Sequence, residues 1–154
     1  MSVRGRAEDA AVSAGQIYQE AIKALANAAT GHGALVAPDG RAFIDNPLCG
    51  DCVEMEVSLA GSRITALAHR VKGCLLCRAA ASVIGKRAVG ARPEEVEQIS
   101  AGVAEMLEKQ APPPAGWHEL DAFAPVHGHR SRYDCVRLPF RALLAALRAA
   151  GEPH

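Results

Sequence analysis

Between residues 53 and 59 the hydrophobic period of this chain is two, and that constrains its fold more than any other feature. Val53, Met55, Val57 and Leu59 alternate with Glu54, Glu56 and Ser58. Such alternation puts the apolar set on one face of a strand and the polar set on the other. Gly61-Ser62 supplies a turn, and Ile64 to Val71 reads as the return strand. Together they predict an antiparallel hairpin, which needs cover on one face only.

The flanking segments read as helices. Residues 8 to 29 are Ala-rich, with Ile17, Ala21, Leu25 and Ala28 at helical spacing, and Gly31 and Gly33 stop that helix. Turn chemistry follows at Pro38-Asp39-Gly40 and Asp45-Asn46-Pro47. A helix is expected from about Cys74, with an apolar face of Leu75, Leu76, Ala79, Ala80, Val83 and Ile84 and with Gly85 and Gly90 limiting its length. Another opens at Pro93, where Glu94 and Glu95 favour the positive helix end. Pro112 to Pro114 demand a loop or extended connector. The last helix carries Phe140, Leu143, Leu144 and Leu147. Pro139 lacks an N–H, so that helix is expected to start within about three residues before it, leaving Cys135 at or just ahead of its N-terminus.

The expected fold is α+β: a small antiparallel three-stranded sheet with helices packed on one face. The third strand is expected from residues 33–36 or 43–44. The chain has 154 residues, read as one domain (1–154) with its core at about 15–150. A chain of that length buries about 70% of its unfolded surface.

Charge narrows the function. Lys plus Arg and Asp plus Glu both number 17, a net charge of zero. A general nucleic-acid binder needs a basic excess, so none is expected. No apolar run approaches the roughly 20 residues of a membrane span, and the start MSVRGRAEDAAVS has no apolar secretory core. The expected location is cytoplasmic.

The cysteines carry the chemistry. There are five, Cys49, Cys52, Cys74, Cys77 and Cys135, an odd count in a chain expected to meet a reducing cytosol. There, clustered cysteines bind metal or react rather than form disulfides. Cys49 ends a loop before a strand, Cys74 sits where strand passes to helix, and Cys135 sits beside the last helix. Helix N-termini stabilise thiolates, which are what ligate metals and attack sulfur. An extended backbone over 50–52 would point Cys49 and Asp51 to one side. A Cys-Asp-Cys-Cys set can fill a tetrahedral zinc shell or leave an exchangeable oxygen ligand. Cys52 and Cys77 read as small apolar residues.

Other readings compete. Cys49-x2-Cys52 with Cys74-x2-Cys77 is a zinc-ribbon spacing, but the second pair runs straight into a helix. Cys74-Leu75-Leu76-Cys77 could also be a thioredoxin-like redox pair. His127 and His129 could donate to a metal near Cys135, or lie in a solvated loop. Asp134 is a candidate oxygen ligand, His69 reads as a surface or core-edge group, and Arg130, Arg132 and Arg137 could stabilise a thiolate by charge.

Asn46-Pro47-Leu48-Cys49-Gly50-Asp51, a hairpin, Lys72-Gly73-Cys74 leading into an Ala/Ser-rich helix, and a Cys opening a last amphipathic helix resemble the NifU/IscU/SufU family. The match spans roughly residues 15 to 150. The resemblance implies a scaffold or sulfur carrier rather than an enzyme. Its metal site would be Cys49, Asp51, Cys74 and Cys135, holding zinc or a [2Fe–2S] cluster, and Cys135 or Cys49 would accept persulfide sulfur. A cysteine desulfurase of the SufS/IscS/NifS type and downstream apo iron–sulfur proteins would be its partners. The IscU type has a His where this chain has Asp134. The long segment between Cys74 and Cys135, with Arg132, looks more like the SufU type. The reading from another class is a structural zinc module without sulfur transfer.

Overall fold

The computed structural model describes residues 19–48 and 50–151. Helix α1 (Glu20–Ala28) comes first, followed by strands β1 (Gly40–Asn46), β2 (Asp51–Ala60) and β3 (Arg63–Lys72). Then come α2 (Leu75–Arg87), α3 (Pro93–Lys109), 3-10 segments at His118–Gly128 and Arg130–Arg132, and α4 (Tyr133–Gly151). Of the expected first helix, residues 8–18 lie outside the described residues.

The three strands form one antiparallel sheet in the order β1-β2-β3. The third strand is the one containing Phe43 and Ile44. The alternative at 33–36 is not a strand; His32 alone makes a parallel bridge to His69 beside β3. The register explains the alternation in the sequence. Ile44, Val53 and Val71 align across the sheet, as do Ala42, Met55 and His69, and their side chains share the inner face. Phe43, Glu54 and Arg70, then Arg41 and Glu56, share the outer face.

Helix α4 lies along β1 and β2, and α2 packs on β3 and α1. Contact is close enough to exclude side chains. A Cβ at Gly40 would lie 2.1 Å from the Ala146 carbonyl oxygen on α4. A Cβ at Gly85 would lie 1.9 Å from the Thr30 carbonyl oxygen. Gly85 therefore does not limit α2, as the sequence suggested; it sits inside that helix so that the turn after α1 can pass over it. Phe123, Phe140, Ile22, Met55, Leu76 and Ile84 fill a shared core, with Trp117 and Phe140 rings 6.0 Å apart.

Two further expectations need correction. Helix α4 begins at Tyr133, earlier than Pro139 implied, and Cys135 lies in its first turn. Proline removes only the bond to the carbonyl four residues back, here that of Cys135. At the early start the Tyr133 hydroxyl donates to the His127 carbonyl at 2.7 Å, which ties the first residue of α4 to the preceding 3-10 segment. His69 is not a surface group: it is buried on the inner face with Nε2 2.7 Å from the Thr30 carbonyl. Burial holds its pKa below the ordinary histidine value.

Candidate metal centre

The site forms where β2 begins, β3 ends and two helices start. Its approach is a tight loop. The Asn46 side-chain oxygen accepts from the Leu48 amide at 3.0 Å, and its carbonyl accepts from the Gly50 amide at 2.8 Å. Gly50 adopts φ +78°, a left-handed conformation that suits glycine. The loop delivers Asp51 to the inner face of the sheet, beneath α4.

Asp51 is 4% exposed. Its Oδ1 accepts from the Cys74 amide at 3.1 Å, whereas its buried Oδ2 has no partner. Gly73 makes this possible, because a Cβ there would come 2.8 Å from the Asp51 carboxylate. Cys74 is the extended residue that caps α2, with φ −72° and ψ 170°. Its pKa is lowered to about 7, first by the Cys135 thiol bonded to its sulfur and then by the amides of Cys77 and Leu76. Burial and the Asp51 charge oppose that shift. The lowering matters because thiolates, not thiols, bind metals.

Cys135 completes the cluster from the first turn of α4. Ligand atoms of Asp51, Cys74 and Cys135 all lie within 4.8 Å of one another. Two sulfurs and a carboxylate oxygen at that spacing suit the tetrahedral sulfur and oxygen shell of zinc, and thiolates equally suit iron–sulfur clusters. The orphaned Oδ2 fits a cation better than an empty interior, since a buried unpaired oxygen costs about 1–3 kcal/mol. Cys49 lies outside the described residues.

Among the described residues this is the one such cluster, and the other sequence candidates stay out of it. Cys52 is half-buried on β2, and Cys77 is fully buried one turn into α2. This helical placement of Cys77 does not provide the second knuckle of a ribbon. The His127 Nδ1 lies 2.6 Å from the Leu107 carbonyl, at the end of α3. Asp134 pairs with Arg141 at 3.3 Å. Beside the site, a cavity of about 400 Å³ is lined by Asn46, Leu48, Arg130, Ser131, Arg132 and Asp134. Its rim carries Leu48, 92% exposed. Of these features, the arginines were visible as a basic stretch, while Leu48 and the role of Gly73 gave no separate signal.

A half-satisfied buried carboxylate and two close thiols, at the end of a three-stranded sheet, are the features that a small metal-holding scaffold needs. The comparisons show the family. The NifU-like N terminal domain model matches residues 17–122, more than half of the chain, and the chain belongs to that family of iron–sulfur cluster assembly scaffolds. Cys135 lies beyond the matched stretch. The chain is 27% identical over 113 residues to "Iron-sulfur cluster assembly scaffold protein IscU" of Streptococcus pyogenes serotype M1, covering 72% of this chain and 71% of that one. It is also similar to the crystal structure of a nitrogen-fixing NifU-like protein (N-terminal) from Brucella abortus. There the TM-score is 0.86 and identity 28%, over 92% of this chain and 99% of that chain. A putative SUF-system scaffold protein (SufU) from Fervidobacterium islandicum AW-1 shares the fold, with TM-score 0.78, 22% identity and coverage of 86% and 98%.

Proposed function

We propose that this chain, acting as one domain, receives persulfide sulfur and holds zinc or a [2Fe–2S] cluster at Cys49, Asp51, Cys74 and Cys135. The observation that carries the reading is the buried group of Asp51, Cys74 and Cys135, with one carboxylate oxygen left unpartnered. The donor is a cysteine desulfurase, and the products pass to apo iron–sulfur proteins. No described helix is long and apolar enough to cross a membrane, in keeping with the proposed work in the reducing cytosol.

Each residue has a part. Asp51 presents Oδ2 to the cation while its Oδ1 holds the start of α2. Cys74 supplies a thiolate already favoured near neutral pH. Cys135 or Cys49 is the sulfur acceptor. In that step the acceptor thiolate attacks the terminal sulfur of the desulfurase persulfide, and the desulfurase cysteine leaves as a thiolate, as in thiol–disulfide exchange. When bound, zinc would shield the thiolates until docking, and iron would let the same residues hold a cluster. The exposed Leu48 and the arginines beside it give a docking partner apolar and cationic purchase next to the sulfurs.

The test is labelled-sulfur transfer from a desulfurase under anaerobic conditions, with metal analysis of the same samples. Label on Cys135 or Cys49, and loss of metal on changing Cys49, Cys74 or Cys135 to Ser, is the expected result. Retained metal without any accepted sulfur would instead mark a structural zinc module.

A further inference from the structure

We propose that Cys74 and Cys77 form a second working pair, a dithiol that exchanges with low-molecular-weight disulfides, Cys74 attacking and Cys77 resolving. Cys77 has no place in the ion-holding group, yet it lies three residues on, in the first turn of the helix that Cys74 caps. The amide of Cys77 faces the Cys74 sulfur, so the two residues meet across the first turn of α2. The side chain of a helix-capping residue lies over the residue three positions on, which here is Cys77. A disulfide needs a Cα separation of about 4.4–6.8 Å, and the extended conformation of Cys74 at the cap leaves its side chain able to turn toward Cys77.

Exposure assigns the order of events. Cys74 is partly exposed and open to an incoming disulfide, whereas Cys77 is 0% exposed and can react only with a sulfur already inside. In the first step the Cys74 thiolate attacks one sulfur of R–S–S–R, and one R–S⁻ leaves. In the second the Cys77 thiolate attacks the Cys74 sulfur, and the second R–S⁻ leaves. Two protein thiols are oxidised, one small disulfide is reduced to two thiols, and the two thiol protons go to the departing sulfurs. Cys74 in a bridge is no longer a thiolate ligand, so an oxidised chain would hold any ion through one fewer sulfur. The activity goes beyond sulfur transfer and does not depend on it.

Cys135 is the competitor, because its thiol contacts the Cys74 sulfur from α4. The Cys74–Cys77 link closes within one helical turn, whereas a Cys74–Cys135 link must join two helices.

The experiment treats the metal-free full chain with oxidised glutathione, quenches in acid and maps the tryptic peptides. Cleavage after Lys72 and Arg78 puts both cysteines in one peptide, Gly73–Arg78, which becomes lighter by two hydrogens when bridged. That peptide should dominate in the wild type and persist in Cys135→Ser. Cys77→Ala should instead accumulate a glutathione adduct on Cys74. A bridge from Cys74 to Cys135 or Cys49, a lasting mixed disulfide in the wild type, or no reaction at Cys74 would overturn the proposal. Because Cys77→Ala alters the core, the Cys135→Ser result stands as an independent arm.

Discussion

Strand β2 buries two carboxylates on its opposite faces and treats them in opposite ways. Glu56, on the outer face, is 1% exposed and saturated. Its Oε1 accepts from the Leu35 amide at 2.8 Å, and its Oε2 takes Arg41 at 2.9 Å and Arg70 at 3.3 Å. The Leu35 amide, with the two arginines, holds its pKa below the usual glutamate value against the opposing effect of burial. Asp51, on the inner face, keeps one bond and leaves Oδ2 bare. A buried acid that only holds the fold together satisfies all its oxygens. One left half-satisfied, with two thiols close by, is arranged for a guest. The difference separates what stabilises this molecule from what it works with.

The sharpest way to break the comparison is to exchange the consequences. Asp51→Ala should weaken zinc binding by more than about 100-fold, since even outer-shell changes cost about 10–100-fold. The metal-free protein should change little in urea stability, because the lost amide bond of about 1 kcal/mol is offset by removing an orphaned oxygen. Titration with a zinc indicator and urea melts check both halves; a large loss of metal-free stability would show that Asp51 is a structural acid like Glu56.

Removing the ion tests the same division at the level of the whole fold. The core of Phe123, Phe140, Leu76 and their neighbours reaches the site at Cys135, but it is otherwise made of apolar side chains that need no ion. Chelation should therefore leave the far-UV helical signal at 25 °C intact. It should remove only the stabilisation due to ligand binding, about 2.7 kcal/mol at a free ion level 100 times Kd, or roughly 5–10 °C in Tm. Unfolding on chelation would favour the structural zinc module.

The opposite substitution is the third test. Glu56→Ala strands the Leu35 amide and leaves Arg41 and Arg70 with Glu54 alone, and is expected to lower stability by about 1–3 kcal/mol. Metal retention should be unchanged. Because both arginines are partly exposed, most of that loss belongs to the amide rather than to the ion pairs. Calorimetry and metal analysis of the one variant decide it.

How far the sequence could be read follows the same line. The hairpin was legible because its period of two is local. The starts of α2 and α3 were legible because Cys74 follows Gly73 and Pro93 precedes two glutamates. The grouping of Asp51, Cys74 and Cys135 was expected from the family resemblance, which rested on NPLCGD, VKGC and a Cys opening the last helix. What could not be read depends on distant backbone. Gly85 resembled a helix stop because nothing local shows Thr30 crossing it. His69 resembled an edge residue because its partner, the Thr30 carbonyl, is 39 positions away. The saturation of Glu56 needed Leu35 and Arg41 from outside the hairpin. Pro139 suggested a later start for α4 because the Tyr133–His127 tie, though only six residues long, has no period or motif that marks it.

Glu119 extends the comparison to a third acid and gives the smallest expected effect. It behaves as a saturated carboxylate: the Arg87 Nε donates to both of its oxygens, at 2.8 and 3.1 Å, and Lys86 stands 3.2 Å away. The Arg87 bonds, more than any other cause, bring its pKa down to about 2. A depressed carboxyl pKa stabilises the folded state fully above the ordinary value of 4.5, and that contribution is lost as pH falls from there toward 2. Glu119→Gln should therefore be less stable than the wild type at neutral pH, with the gap closing through that acid window. Urea melts at stepped pH on both proteins measure it. A gap that stays constant down to pH 2 would show that Arg87 contacts this side chain without stabilising its charge, and Glu119 would leave the class that Glu56 defines.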